Sequence, residues 1–382
     1  MPGQSDVAPH PFWNGKRVLI TGHTGFKGGW LSLWLQHRGA EVTGLALDPP
    51  STPNLFTRAR VDANMVSHHG DVRDVETVVD VFEQVRPDIV FHMAAETLVR
   101  PSYEAPVSTY ATNVMGTVHV LEAMRQTGSA RVGVFITSDK CYQNDDSSLW
   151  GFRETDAMGG NDPYSSSKGC AELVISAYRT SYFAECEGNG ARTSIATVRA
   201  GNVIGGGDWA TDRLVPDVVR AFSEGRPVHI RQPDAVRPWQ HVLDPLSGYM
   251  RVAERLWTEG AKYAEAWNFG PNEDDARPVR SVVETMIEKW GPDAMLVIDD
   301  GPHPHEDSYL RLDCSKSRRL LDWAPRLPLE EALAWTVDWY RTERERDDMR
   351  SVTLGQIRSY EGLPKSTAHS VRMTPSVAPR PH

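Results

Sequence analysis

Short apolar runs alternate with segments of helical periodicity through the first half of the chain. Val18, Leu19 and Ile20 form an apolar run of the kind that makes a buried parallel strand, and Trp30, Leu31, Leu33, Trp34 and Leu35 begin a helix with an apolar face. The pattern then predicts a second strand at Glu41 to Asp48, a short segment at Val66 to Asp71, a helix at Val75 to Val85 and a strand at Asp88 to Met93 that runs into Ala94–Ala95. Pro101 to Pro106 reads as a loop. A helix containing Asn113, Gly116, Leu121 and Met124 follows, then a strand at Arg131 to Thr137 that ends in Ser138, Asp139 and Lys140. Loop residues Cys141 to Pro163 lead into a helix with Leu173, Val174, Ala177 and Tyr178, and a strand is expected at Thr193 to Arg199. Strands alternating with helices imply an α/β fold with a doubly wound parallel sheet.

Beyond Gly201 the pattern changes. Glycine, aspartate, arginine and proline become dense in GNVIGGGDWATDRLVP, and shorter elements succeed one another. The organisation expected is a leader at 1–11 without order, a nucleotide-binding unit at 12–200 with a return at about 238–270, and a smaller, mainly substrate-binding lobe at 201–345. A Ser/Pro/Arg-rich disordered tail follows at 365–382. Leu329 to Tyr340 carries Leu333, Val337 and Tyr340 on one stripe and is expected to form a helix that closes the fold. There is no internal repeat.

Composition narrows the function classes. The net charge of −10 argues against non-specific nucleic-acid binding, which needs a basic face. No apolar stretch approaches the roughly 20 residues of a membrane span, and the opening MPGQSDVAPHP lacks the apolar core of a secretory signal. The four cysteines (Cys141, Cys170, Cys186, Cys314) show no paired spacing, which suits a reduced, cytoplasmic protein. His68–His69 and His303–His305 have no supporting cysteine or carboxylate constellation, so no metal site is expected. The 12 tryptophans are expected to be core or interface anchors rather than sugar-stacking groups.

Between the first strand and the first helix lie Gly22, Gly25 and Gly28, spaced G-x-x-G-x-x-G. Strand, glycine turn and helix place a helix N-terminus under a pyrophosphate, which points to a dinucleotide cofactor and a Rossmann-type sheet. The loop residues Gly22, Thr24, Gly25, Phe26, Lys27 and Gly28 are the candidate cradle. Asp48 is the candidate acid for the ribose hydroxyls, or else a turn carboxylate before Pro49–Pro50. No arginine stands beside it to favour a 2′-phosphate, so NAD is preferred over NADP. Asp71 and Val72 are expected beside the adenine, and the small Ala94 and Ala95 permit close approach of the cofactor.

Ligands bind such sheets at the carboxyl ends of the strands. Ser138–Asp139–Lys140 and the pair Tyr164/Lys168 converge there with the glycine turn. Residues i and i+4 share a helix face, so the phenol and the ammonium point the same way. The neighbouring lysine and a cationic nicotinamide are expected to lower the Tyr164 pKa, making it a general base for an alcohol proton.

At this point the chain resembles the extended short-chain dehydrogenase/reductase family, and within it the nucleotide-sugar 4,6-dehydratases. The resemblance is carried by TGHTGFKGGWL (21–31), TSDKCYQN (137–144), GGNDPYSSSKGCAE (159–172), RAGNVIGGGDWATDRLVPD (199–217) and RPWQHVLDPLSGY (237–249). It runs from about Phe12 to Arg341. It implies catalytic use of NAD, CDP-glucose as substrate, and loss of water across C5–C6 of the sugar after oxidation at C4. In this reading Tyr164 removes the C4 hydroxyl proton, Lys168 holds the nicotinamide ribose, and Ser138 bonds the C4 oxygen. Asp139 protonates the departing C6 hydroxyl, and Lys140 is the C5 base, for which its pKa has to be depressed. Asn202, Arg213 and Arg237 are placed on the substrate, with an interdomain salt bridge as the alternative for either arginine. The family often has Gln where Glu96 stands, which would put a charge beside the nucleotide or sugar. An epimerase or a dehydratase on another base shares the fold and Tyr164/Lys168. A homodimer or a dimer of dimers, paired through the helices near Asn113 and Tyr164, is implied as well.

Overall fold

A computed structural model describes residues 10–144, 151–183, 193–292, 294–298 and 310–364. The expected tail, residues 1–9 of the expected leader, and His303–His305 lie outside the described residues. His10 and Pro11 belong to the ordered turn that precedes the first strand, with the Trp13 amide donating to the His10 carbonyl at 3.1 Å.

The first half contains β1 (Arg17–Thr21), α1 (Phe26–His37), β2 (Glu41–Ala46), α2 (Leu55–Arg58), β3 (Val66–His69), α3 (Val75–Val85), β4 (Ile89–His92), α4 (Val99–Glu104), α5 (Pro106–Tyr110), α6 (Gly116–Thr127), β5 (Val132–Ile136), α7 (Pro163–Ser181) and β6 (Ser194–Ala200). The second half contains β7 (Val203–Ile204), α8 (Leu214–Ser223), β8 (Val228–Ile230), β9 (Val236–Pro238), β10 (Gln240–His241), α9 (Leu243–Glu259), β11 (Ala266–Phe269), β12 (Ala276–Pro278), α10 (Val279–Trp290), β13 (Leu296–Ile298), α11 (Ser315–Leu321), α12 (Leu329–Glu345) and α13 (Met349–Gly362).

Seven strands form one parallel sheet in the order β11-β6-β5-β4-β1-β2-β3. Strand order reverses between β1 and β4, so the crevice at their carboxyl ends is the topological switch point where such sheets bind ligands. The central strands are buried on both faces, as their continuous apolar runs require. α9 packs on β5 and β6 and leads to β11, which pairs with β6. The remaining strands form three two-stranded pairs, β7/β10, β8/β13 and β9/β12.

Four sequence expectations need correction. The stretch Pro101 to Pro106 is not a loop: Pro106 opens α5 and Pro101 lies in the first turn of α4, where a missing amide hydrogen costs nothing. α5 then continues through a π turn (Ala111–Met115) into α6. The second strand stops at Ala46, and Thr24 Oγ1 donates to the Leu47 carbonyl at 2.9 Å where the chain leaves the sheet. The helix from Leu329 runs on to Glu345, and it does not close the fold. A further helix, α13, packs on α1, with Trp34 Nε1 and Arg38 Nε donating to Glu361 Oε1 at 2.7 and 2.9 Å. α1 is therefore not one-sided: Gly28 through Leu35 are all buried.

Candidate active site

The glycine turn is shaped by steric exclusion. A Cβ on Gly28 would lie 2.2 Å from the Gly22 carbonyl oxygen, and one on Gly22, whose φ is +77°, would lie 2.7 Å from the Ala94 amide. The first turn of α1 has no side-chain cap, so its amides are left to an outside acceptor. This uncapped N-terminus above a close backbone approach fits a dinucleotide pyrophosphate. Thr21 Oγ1 accepts from the Met93 and Ala94 amides at 3.1 and 3.2 Å and pairs with His92 Nδ1 at 2.7 Å, fixing the two strand ends at the switch point. Buried His92 has its pKa lowered to about 3 by desolvation and stays neutral.

Of the residues expected beside the adenine, Val72 is buried and Asp71 accepts from Arg73 Nε and Nη2 at 2.8 and 2.6 Å. Asp48 stands two residues past β2 with an exposed side chain, 3.7 Å from His69 Nε2. His23, which sequence reasoning left aside, fills the space over Gly44 and bonds Ser67 Oγ at 2.7 Å.

Glu96 behaves differently from expectation. Its carboxylate accepts from Ser108 Oγ at 2.5 Å and Thr109 Oγ1 at 2.9 Å, both on α5. Its backbone is held by Asn113, whose Nδ2 also donates to Ser167 Oγ on α7 at 2.8 Å. The charge is thus turned onto helix hydroxyls, where it braces the loop after β4 against α5.

Beyond β5 the chain enters a 3₁₀ turn, Asp139–Cys141, instead of running on extended. Ser138 caps it: its Oγ accepts from the Lys140 amide at 3.2 Å and donates to Asp139 Oδ1 at 2.9 Å. Asp139 Oδ2 occupies the room left by a missing side chain at Gly201, where a Cβ would lie 2.7 Å away. Burial raises the Asp139 pKa against the lowering effects of Lys140, Ser138 and Lys27. α7 starts at Pro163 with Asp162 as cap, its Oδ1 accepting from the Ser165 amide at 2.9 Å. That start sets Tyr164 and Lys168 on its buried face, 8% and 5% exposed.

The expected lowering of the Tyr164 pKa is not a property of the protein alone. Burial raises it, a hydrogen bond with Ser138 partly offsets that, and the Asp139 charge adds to the rise. Lys168 is brought down to about 8 by desolvation and then by Lys27, which burial and Arg213 likewise bring to about 8. Burial is thus the main cause at both lysines, with Lys27 adding to it at Lys168 and Arg213 at Lys27.

Asp139, Lys140, Asn202, Arg237, Pro238 and Leu310 line one pocket, which brings the Ser-Asp-Lys turn and two of the three expected substrate residues together. Arg213 is not among its lining residues; it donates to Asp208 Oδ2 at 2.9 Å and Thr97 Oγ1 at 3.0 Å. Residues not foreseen are Gly201, which makes room for Asp139, and the buried pair Glu172–Arg199. Glu172 follows Lys168 by four positions, so shared helix face was the available signal.

Residues 19–336 match the GDP-mannose 4,6 dehydratase family. The chain belongs to that family. It is 54% identical to the CDP-glucose 4,6-dehydratase of Salmonella typhimurium over 349 residues, which cover 91% of this chain and 97% of that one. The dTDP-glucose 4,6-dehydratase of the same organism is 28% identical over 85% of this chain and 92% of its own. Among solved structures of family enzymes, the dTDP-glucose 4,6-dehydratase of Streptomyces venezuelae with NAD bound superimposes with a TM-score of 0.71 at 25% identity, covering 86% and 98% of the two chains. The UDP-glucose 4-epimerase of Thermotoga maritima reaches 0.74 at 23% identity over 85% and 98%, a likeness of fold.

Proposed function

We propose that this enzyme is a nucleotide-sugar 4,6-dehydratase that converts CDP-glucose to CDP-4-keto-6-deoxyglucose and water. The observation that carries the reading is the capped Ser138–Asp139–Lys140 turn, which sets a carboxylic acid and a lysine in one pocket and hydrogen-bonds Tyr164 through Ser138. The 54% identity to an enzyme of that name supports the choice of substrate.

The cradle of Gly22, Thr24, Gly25, Phe26, Lys27 and Gly28 holds the pyrophosphate of NAD. Asp48, Asp71 and Val72 serve its adenosine end, and Ala94, Ala95 and Lys168 its nicotinamide end. Bound there, NAD would supply a reversible hydride acceptor for transfer from C4 to C6 of the sugar and would be regenerated each cycle. Tyr164 takes the proton of the C4 hydroxyl. Its phenol needs a positive charge nearby, since burial alone holds its pKa up. Ser138 steadies the C4 oxygen. The 4-ketone acidifies the C5 hydrogen, which Lys140 removes as a neutral amine. Asp139, whose raised pKa favours the protonated acid, gives its proton to the departing C6 hydroxyl. Asn202, Arg213 and Arg237 grip the nucleotide diphosphate, the guanidiniums being suited to bidentate contact with phosphate oxygens.

The enzyme pairs with a second copy through α4 to α7. Val107 is 82% exposed and Tyr103, Met115 and Leu173 also present apolar surface there. Free Cys141, Cys170 and Cys314 suit work in the reducing cytoplasm.

Incubation with NAD and a panel of CDP-, dTDP-, UDP- and GDP-glucose, read by product mass, tests the reading. A 4-keto-6-deoxy product from CDP-glucose in preference to the others is expected. An isomer of unchanged mass would make the enzyme an epimerase.

A further inference from the structure

One ion pair touches three of the pieces that make up the site. Glu172 and Arg199 are 5% and 2% exposed and are not among the residues that line the pocket. Glu172 lies on α7, one turn beyond Lys168 and two beyond Tyr164. Its Oε1 accepts from Arg199 Nε at 2.7 Å and from Thr137 Oγ1 at 2.5 Å, and its Oε2 accepts from Arg199 Nη2 at 2.7 Å and Thr197 Oγ1 at 2.8 Å. Thr137 is the residue immediately before Ser138. On the other side of the turn, Tyr142 is the residue immediately after Cys141, and Arg199 Nη1 donates to its Oη at 2.6 Å. Tyr142 Oη in turn donates to Asn268 Oδ1 on β11 at 2.8 Å, and Asn268 Nδ2 donates to the Phe152 carbonyl at 2.9 Å. Both ends of the Ser138–Cys141 segment and the helix carrying Tyr164 and Lys168 are therefore tied to the same two side chains, with Arg199 itself fixed in β6.

A pair of this kind is expensive as a stabiliser, because desolvation offsets much of the attraction; apolar replacements of similar volume are often neutral for stability. The hydrogen bonds of Arg199 hold Glu172 ionised against its burial, and Glu172 keeps Arg199 charged likewise. What the pair supplies beyond stability is fixed direction. Fork-to-carboxylate geometry leaves little freedom of rotation, and each remaining lone pair of Glu172 is assigned to one threonine.

We infer that Glu172 and Arg199 are positioning residues that set the placement of the Ser138–Asp139–Lys140 turn relative to Tyr164 and Lys168. The inference rests on the dehydratase reading for its kinetic consequences but not for its geometric ones. Displacement of a reacting group by about 1 Å costs on the order of 10²-fold in rate.

The test uses the full-length enzyme with NAD and CDP-glucose. In the double variant Glu172→Met/Arg199→Met, a cooperative melt near that of wild type is expected, together with a kcat lower by about 10²-fold. KM for CDP-glucose should stay within roughly threefold, because Asn202, Arg213 and Arg237 are untouched. Hydrogen exchange read on the peptide spanning residues 137–142 should quicken by about tenfold while β1 and β4 keep their protection. Tyr142→Phe, which severs one end of the tether and leaves the ion pair, decides the matter if the double variant does not fold; a fall in kcat of roughly five- to tenfold at unchanged KM is expected. Wild-type kcat in a folded variant, or unchanged exchange in 137–142, overturns the inference. Absence of water loss by the wild-type enzyme would overturn the dehydratase reading instead, and the exchange result would still decide the geometry.

Discussion

The central sheet and the short strand pairs outside it are ordered over different lengths. Seven parallel strands share a single hydrogen-bonded sheet, and their registers fix where β1, β4, β5 and β6 end. Outside that sheet the described residues form three separate pairs of strands, each strand two or three residues long. The residues proposed to change bonds stand on or just after the sheet and on α7. Those proposed to hold the nucleotide, Asn202, Arg213 and Arg237, stand on the lobe's short segments. On these proposed roles, bond-making draws on the long-range order of the sheet, whereas grip on a flexible diphosphate uses shorter supports.

The sharpest way to test that division begins on the sheet side. Tyr164→Phe should lower kcat by about 10²–10⁴-fold while the cofactor titration stays close to wild type. Wild-type turnover would remove the phenol from the mechanism. A smaller effect, about 10²-fold on formation of the final product, is expected for Asp139→Asn. Rapid-quench mass spectrometry should then find a 4-keto sugar that retains its C6 oxygen, and solvent deuterium should still enter at C5. Lys140→Ala should halt at the same mass and also slow C5 exchange. If both variants fail to oxidise C4, the turn serves the first step and the assignment of roles is wrong.

On the lobe side, Arg237→Ala should raise KM for CDP-glucose by roughly tenfold and leave kcat nearly as it is, as expected for loss of one charge-assisted contact made equally in ground and transition states. A large fall in kcat at constant KM would break the comparison, since it would place a bond-changing role on β9.

The smallest effect lies at the seam. Asp244 starts α9, and its Oδ1 accepts from Tyr360 Oη at 2.8 Å and the Arg326 amide at 2.7 Å, while Oδ2 is buried without a partner among the described residues. Burial pushes its pKa up to about 7. An acid whose folded value lies above its ordinary 3.8 binds its proton more tightly in the folded chain. Stability therefore declines as pH rises from about 4 to about 7. Asp244→Asn should remove that decline, raising Tm by about 2–4 °C at pH 8 and by less at pH 5, measured by calorimetry. An equal change at both pH values would show that Asp244 does not titrate in this window.

The sheet was legible because its central strands are apolar on both faces and its helices periodic, so that Val75 to Val85 and the strand ends near Thr137 and Ala200 were found within a residue or so. The prolines misled at Pro101 and Pro106, since the same residue that ends one helix is well placed to begin another. α13 was missed because its main anchors, Tyr360 and Glu361, are polar at one end and answer to α1 and α9, far away in sequence. Within the site, the roles proposed for the Ser-Asp-Lys triplet come from the family resemblance. The shared buried helix face of Tyr164 and Lys168 was readable from their spacing, and the place of the triplet from the strand before it. The direction taken by the Glu96 carboxylate was not, because it depends on hydroxyls of α5 that only the folded chain brings near. Nor was the Tyr164 pKa, which is set by burial as much as by its charged neighbours.

The packing of α13 on α1 also has a consequence for synthesis. Trp34 and Glu361 are separated by 327 positions. At about 10 residues per second, a ribosome takes roughly half a minute to travel between them. During that interval the outer flank of α1, with Trp34 and Arg38, has no covering helix, although β1, the glycine turn and α1 itself have long since emerged. The nascent chain thus carries its glycine turn on a helix whose α13-facing side stays uncovered until Tyr360 and Glu361 leave the exit tunnel.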